Sequence, residues 1–204
     1  MAIGIWPTVP GACYAAVGIG NGFYEDGTMN ATAPAADWSA AVHEVLGTLG
    51  VAQVAYVPDA GHRRLIERCG NDAKMKAQPL TTEEEGIAVL AGAWLGGEKG
   101  VLLMQSSGVG NCINMLSLTR ACRFPLLMLV TMRGQWGEFN PWQVPMGQNC
   151  AAMLEMSGAL VHEVDKADDM AETVYAAGRI AYDGPAAAAV LISQRLIGIK
   201  TFGR

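Results

Sequence analysis

The segment from Gly100 to Gly134 constrains the fold most. Its two apolar runs, Val101 to Met104 and Pro125 to Met132, enclose a Gly/Ser stretch and a helix-like segment, Asn111 to Cys122. Strand, crossover helix and parallel strand in that order make a βαβ unit. Ligands in such folds collect where loops leave the carboxyl ends of strands, so Gln105 to Asn111 and Arg133 to Gln148 are expected on one functional edge.

The flanking sequence extends this unit. Trp38, Ala41, Val42, Val45, Leu46 and Leu49 recur at helical spacing, with Asp37 as cap and Gly50 as stop. Val51 to Val57 reads as a buried strand that turns through Pro58 to His62 into a short helix, Arg63 to Cys69. A helix opens at Thr81-Thr82, and further on come a helix over Asn149 to Gly158, a strand over Ala159 to Val164, a helix over Asp168 to Tyr182 and a final strand over Ala186 to Ile192. About five strands alternating with helices predict an α/β fold, a doubly wound and mainly parallel sheet with helices on both faces. The expected domain spans residues 37–197, preceded by an irregular extension over 1–36 and followed by a tail over 198–204. Gly18 to Gly22 lacks both a preceding strand and the G-x-G-x-x-G spacing of a nucleotide loop.

Composition excludes some partners. A net charge of −5 and a pI near 5.2 argue against nucleic acid, which needs clustered Lys and Arg. Five scattered cysteines with no C-x-x-C pair fit reduced thiols in a cytoplasmic protein, and no protein-held metal is expected. No segment supplies the ~18 uninterrupted apolar residues of a membrane span, and the first residues do not resemble a signal peptide.

Several residues on the predicted edge carry usable chemistry. Helical geometry sets Glu83 and Glu84 beside the inward stripe of Ile87, Leu90, Ala91 and Trp94, whereas Glu85 points away; all three also suit the positive end of a helix dipole. A carboxylate projecting into an apolar site suits acid/base work. Gln105, Ser106, Ser107 and Asn111 offer donors and acceptors, and Gly108 permits close backbone approach, in either a ligand loop or an ordinary tight turn. Arg133 ends a buried strand, where its planar fork suits an anionic substrate or a surface ion pair. Asp59 suits a helix cap or the site, and His62 either a proton exchanger or a surface or capping side chain. The Gln135 to Gln148 segment, rich in Trp and Pro, reads as an ordered lid or a subunit contact.

Taken together, VPDAGH at Val57 to His62, EEEGIAVLAGAW at Glu83 to Trp94, LMQSSGVGN at Leu103 to Asn111, and MRG followed by QVPMGQ at Gln143 to Gln148 resemble the pyrimidine-binding half of thiamine-diphosphate-dependent decarboxylases. Within that group the likeness is to the sulfopyruvate and phosphonopyruvate decarboxylases. The resemblance runs from about Asp37 to Ile197 in the same order. It implies that Glu84, in the register of Gly86, Gly92 and Trp94, hydrogen-bonds the aminopyrimidine of the cofactor, with His62 as a second catalytic group. It implies cofactor contacts from Gln105, Ser106 and Gly108, and substrate contacts from Asp59, Ser107, Arg133 and Gln148. The cofactor would act as electron sink while an anionic 2-keto acid, such as 3-sulfopyruvate, loses carbon dioxide. The family's Gly-Asp-Gly and later asparagine, which hold magnesium (Mg2+) and the diphosphate, are absent from the sequence. A separate beta subunit carrying that motif is therefore implied, in a hetero-oligomer whose site lies between chains. The alternatives are a decarboxylase or carboligase for another 2-keto acid, a non-catalytic structural or regulatory subunit, and a flavin or nucleotide-binding module of the same sheet class.

Overall fold

The computed structural model describes residues 37–198. Helix α1 (Trp38–Leu49) leads into β1 (Val51–Tyr56), α2 (Arg63–Gly70), β2 (Lys76–Pro79), α3 (Glu83–Leu95) and β3 (Lys99–Gln105). There follow α4 (Ser106–Ala121), β4 (Leu126–Thr131), a 3-10 turn (Pro141–Gln143), α5 (Val144–Met156), β5 (Leu160–Val164), α6 (Met170–Asp183), β6 (Ala187–Ile192) and α7 (Gln194–Ile197). The expected extension over 1–36 and the tail beyond Gly198 lie outside the described residues.

Six strands form one parallel sheet in the order β2-β1-β3-β4-β6-β5. The order reverses between β1 and β3, which makes the crevice at their carboxyl ends the switch point where such sheets bind ligands. The period-two alternation of strands divides the core. Leu127 and Leu129 of β4 face a cluster with Val42, Leu46, Leu65 and Val174 from α1, α2 and α6, while Leu126, Met128 and Val130 face Ile87, Leu116 and Leu154 from α3, α4 and α5. Both faces are covered, so the central strands read as unbroken apolar runs.

Local chemistry explains most boundaries. Asp37 caps α1 by accepting from Ser39 N at 3.2 Å, and Gly50 closes it in the left-handed region at φ 77°. In front of α3, Glu85 reaches back to accept from Thr81 N at 2.8 Å. Four departures from the sequence expectation stand out. A sixth strand, β2, occupies a sheet edge with the polar sequence Lys-Ala-Gln-Pro, which carries no apolar run to announce it. The Gly/Ser stretch is not a loop, because α4 begins at Ser106 and takes Gly108 and Gly110 into its first turns. Helix α5 begins at Val144 rather than Asn149, and α7 was not foreseen.

Cys69, Cys112 and Cys150 are buried, unpaired thiols whose burial pushes them up to about 11, 12 and 12 respectively, which leaves them poor nucleophiles. Cys122 is exposed and unpaired, and Cys13 lies outside the described residues. Among the described residues no helix is long and apolar enough to cross a membrane.

Candidate active site

At the switch point the loop after β1 meets the first turn of α4. Asp59 organises the junction: its Oδ1 accepts from Gln105 Nε2 at 3.1 Å, and its Oδ2 accepts from Thr131 Oγ1 at 2.6 Å and Gly61 N at 3.0 Å. A side chain at residue 61 would lie 2.7 Å from Thr131 Cγ2, so glycine allows the turn to close on β4. Gln105 Oε1 in turn accepts from Ser107 Oγ at 2.8 Å and Gln143 Nε2 at 3.2 Å. Asp59, Gln105 and Ser107 are thus brought together as expected from sequence. Gln143, from the segment expected to form a lid or subunit contact, joins them.

The glutamates separate clearly. Glu83 shares the buried face of α3 with Gly86, Ile87 and Leu90, and its carboxylate accepts from Asn111 Nδ2 at 2.8 Å. A Cβ at residue 108 would run into the Glu83 carboxyl group, so Gly108 is the cradle that admits it. Glu84 is half-buried and has one oxygen, Oε2, buried without a hydrogen-bond partner. Glu85 is exposed. Both inward carboxylates therefore fit a group with an N–H or protonated ring nitrogen, Glu83 by its cradle and Glu84 by its orphaned oxygen.

Arg133 does not have the open fork expected of an anion binder. Its Nε and Nη2 donate to Glu138 Oε2 and Oε1 at 2.6 and 2.5 Å, with side chains only 6% and 3% exposed. Glu138 also accepts from Gly134 N, Asn140 N and Gln194 Nε2, and the guanidinium lies 5.5 Å from the Phe139 ring centre. The fork is filled by its own chain, and the pair clamps the loop between β4 and α5. Gln194 completes the clamp, its Oε1 accepting from Gln135 N and Trp136 N, each at 3.0 Å. No sequence period links residues 133, 138 and 194, so pattern reading had no route to this network.

His62 also departs from expectation. It is fully buried, lies edge-on to Trp38 and donates from Nε2 to Leu129 O at 3.0 Å. Burial pushes its pKa below the ordinary 6.5, against the opposing pull of Asp59, and keeps the ring neutral and away from the edge. Ser106 is buried too, with Oγ accepting from Arg133 N at 3.0 Å, and so ties α4 to β4. Gln148 donates to Gly134 O at 2.9 Å and lines a cavity of about 610 Å³ with Trp136, Ser193 and Arg195, beyond β4.

The loop packs onto α5 with no space to spare. A Cβ on Gly147 would run into the Arg133 carbonyl and stand 2.8 Å from Gly134 Cα. Gly147→Ala is expected to cost about 1–3 kcal/mol, the usual range for overpacking, as a lowered urea midpoint with an unchanged slope.

Comparison with models of known protein families finds no match. The sulfopyruvate decarboxylase subunit alpha of Methanococcus maripaludis is 41% identical over 118 residues, which cover 57% of this chain and 71% of the relative. The chain belongs to the sulfopyruvate decarboxylase alpha-subunit family. The Methanocaldococcus jannaschii member is 34% identical over 119 residues, covering 58% of this chain and 70% of that one. Phosphonopyruvate decarboxylase of Streptomyces viridochromogenes is 37% identical over 133 residues, 64% of this chain but 34% of that protein. Among solved structures, a 2-oxoglutarate:ferredoxin oxidoreductase from Magnetococcus marinus superposes with a TM-score of 0.62 at 15% identity, over 78% of this chain and 29% of that one, which shows the shared fold. Membership in a family of decarboxylases makes the chain part of a decarboxylase.

Proposed function

We propose that the chain is the alpha subunit of a split, thiamine-diphosphate-dependent enzyme that decarboxylates 3-sulfopyruvate to sulfoacetaldehyde and carbon dioxide. The relatives' names support the substrate and the existence of a partner. The observation that carries the mechanism is the buried carboxylate of Glu83 beneath Gly108, on the edge where β1 and β3 end. When bound, thiamine diphosphate supplies the electron sink for loss of carbon dioxide. In this reading Glu83 holds the aminopyrimidine ring, Asn111 fixes the carboxylate, and Gln105 and Ser107 line the entrance. Magnesium and the diphosphate are assigned to the beta subunit.

A second reading gives the aminopyrimidine contact to Glu84, the choice the motif register suggested, and its orphaned oxygen favours it. Parallel glutamine substitutions separate the two. For the function itself, the test is co-expression with a candidate beta chain and measurement of carbon dioxide release from sulfopyruvate, phosphonopyruvate and pyruvate. Release should require both chains and thiamine diphosphate, with the highest kcat/KM on sulfopyruvate. Equal efficiency on pyruvate would sink the substrate assignment, and full activity without a beta chain would sink the split-site assignment.

A further inference from the structure

The edge carries a hydrogen-bond relay whose direction is fixed at one end. The Asp59 carboxylate takes donors at both oxygens, from Thr131 Oγ1 and Gly61 N at Oδ2 and from Gln105 at Oδ1. Gln105 therefore turns Nε2 toward Asp59 and is left with its carbonyl for other donors. That carbonyl accepts from Gln143 Nε2 at 3.2 Å. Gln143 then ends the relay with Oε1, a buried acceptor that has no hydrogen-bond partner. Amide orientation is assigned from the surrounding network, and a network that starts at a carboxylate admits only this one. A buried acceptor is costly to leave unmet, which points to a donor arriving with a ligand.

We propose that Gln143 is a specificity-determining contact, its Oε1 accepting a hydrogen bond from an N–H or O–H group of the bound ligand. The inference rests on the decarboxylase reading above. Its location fits: Gln143 leads into α5, whose Met146 Sδ lies 3.5 Å from where a Cβ on Gly110 would sit, and the same first turns of α4 cradle Glu83 at Gly108. A 2-keto acid with ionised carboxylate and sulfonate offers acceptors only. The donor therefore has two sources, the exocyclic amine of an aminopyrimidine or the hydroxyl that replaces the keto oxygen once the substrate's carbonyl carbon is attacked.

The test uses the chain assembled with its beta partner, as wild type and as Gln143→Leu. Affinity is measured for thiamine diphosphate against oxythiamine diphosphate, in which an oxo group replaces the amine. It is measured likewise for the 2-hydroxy against the 2-deoxy form of the substrate. Gln143→Leu should lose about tenfold from one of these two ratios, the size of one hydrogen bond, and the ratio lost identifies the donor. Asp59→Asn, whose amide can donate to Gln105 and reverse the relay, should lose the same ratio, and it decides alone if Gln143→Leu fails to assemble. Both ratios unchanged in Gln143→Leu, with an unchanged melting temperature, overturn the proposal. A wild-type assembly that binds no thiamine diphosphate overturns the functional reading instead, and the hydroxy-to-deoxy ratio then decides the relay.

Discussion

Glu83→Gln, in the chain assembled with its beta partner, is expected to lower kcat by roughly two to four orders of magnitude, the range associated with losing a positioned acid/base group. The substitution keeps the size and one acceptor, so the packing against Gly108 and the bond from Asn111 survive while the charge does not. Stability should therefore change little and the loss should fall on turnover. On the first reading Glu84→Gln should cost less than tenfold; on the second it carries the large loss, because its buried Oε2 is the oxygen left without a partner. Steady-state carbon dioxide release, with melting curves as control, separates the two. A large loss in Glu84→Gln and a small one in Glu83→Gln would return the role to Glu84.

This contrast marks how far the sequence could be read. The period of α3 already narrowed the choice to Glu83 and Glu84, and what separates them is the step of three and four that joins residue 83 to Gly86, Ile87 and Leu90. The register of Gly86, Gly92 and Trp94 points instead to Glu84, whose buried Oε2 has no partner, and the paired glutamine substitutions decide between the two. The strands β3, β4 and β6 were legible because both faces of the sheet are covered and their apolar runs are continuous. Edge strand β2 buries too little to carry such a run. Gly108 and Gly110 suggested a loop, yet they sit in a helix, Gly108 because Glu83 needs its space and Gly110 facing Met146. His62 is buried rather than at the edge, and Arg133 forms the ion pair that is one of its two sequence readings, inside the loop rather than at the surface. Their partners, Leu129 for the first and Glu138 with Gln194 for the second, are set by how the chain returns in space.

Glu138→Gln should destabilise the protein by about 3–5 kcal/mol at neutral pH, because it leaves the Arg133 guanidinium buried without a counter-charge. The effect should depend on pH in a defined direction. Hydrogen bonds from Arg133 hold the Glu138 carboxyl down to about 2 from the ordinary 4.5, helped by Asn140 N, Gly134 N and Gln194 against the cost of burial. A depressed carboxyl contributes stability that is fully present above its unfolded pKa and is lost as pH falls through its folded value. Across that window the contribution amounts to roughly 3 kcal/mol. Urea midpoints of wild type and Glu138→Gln should thus lie far apart above pH 5 and converge as pH falls through about 2, where the wild-type carboxyl itself takes up its proton. Parallel curves over the whole range would show that the charge pair does not hold the loop. The same clamp predicts the behaviour of Arg133→Met: a comparable stability loss, and a kcat/KM reduced alike for sulfonated and neutral keto acids, because Gln143 loses its support. A loss confined to the sulfonated substrate would mean that Arg133 leaves Glu138 during turnover and grips the anion directly.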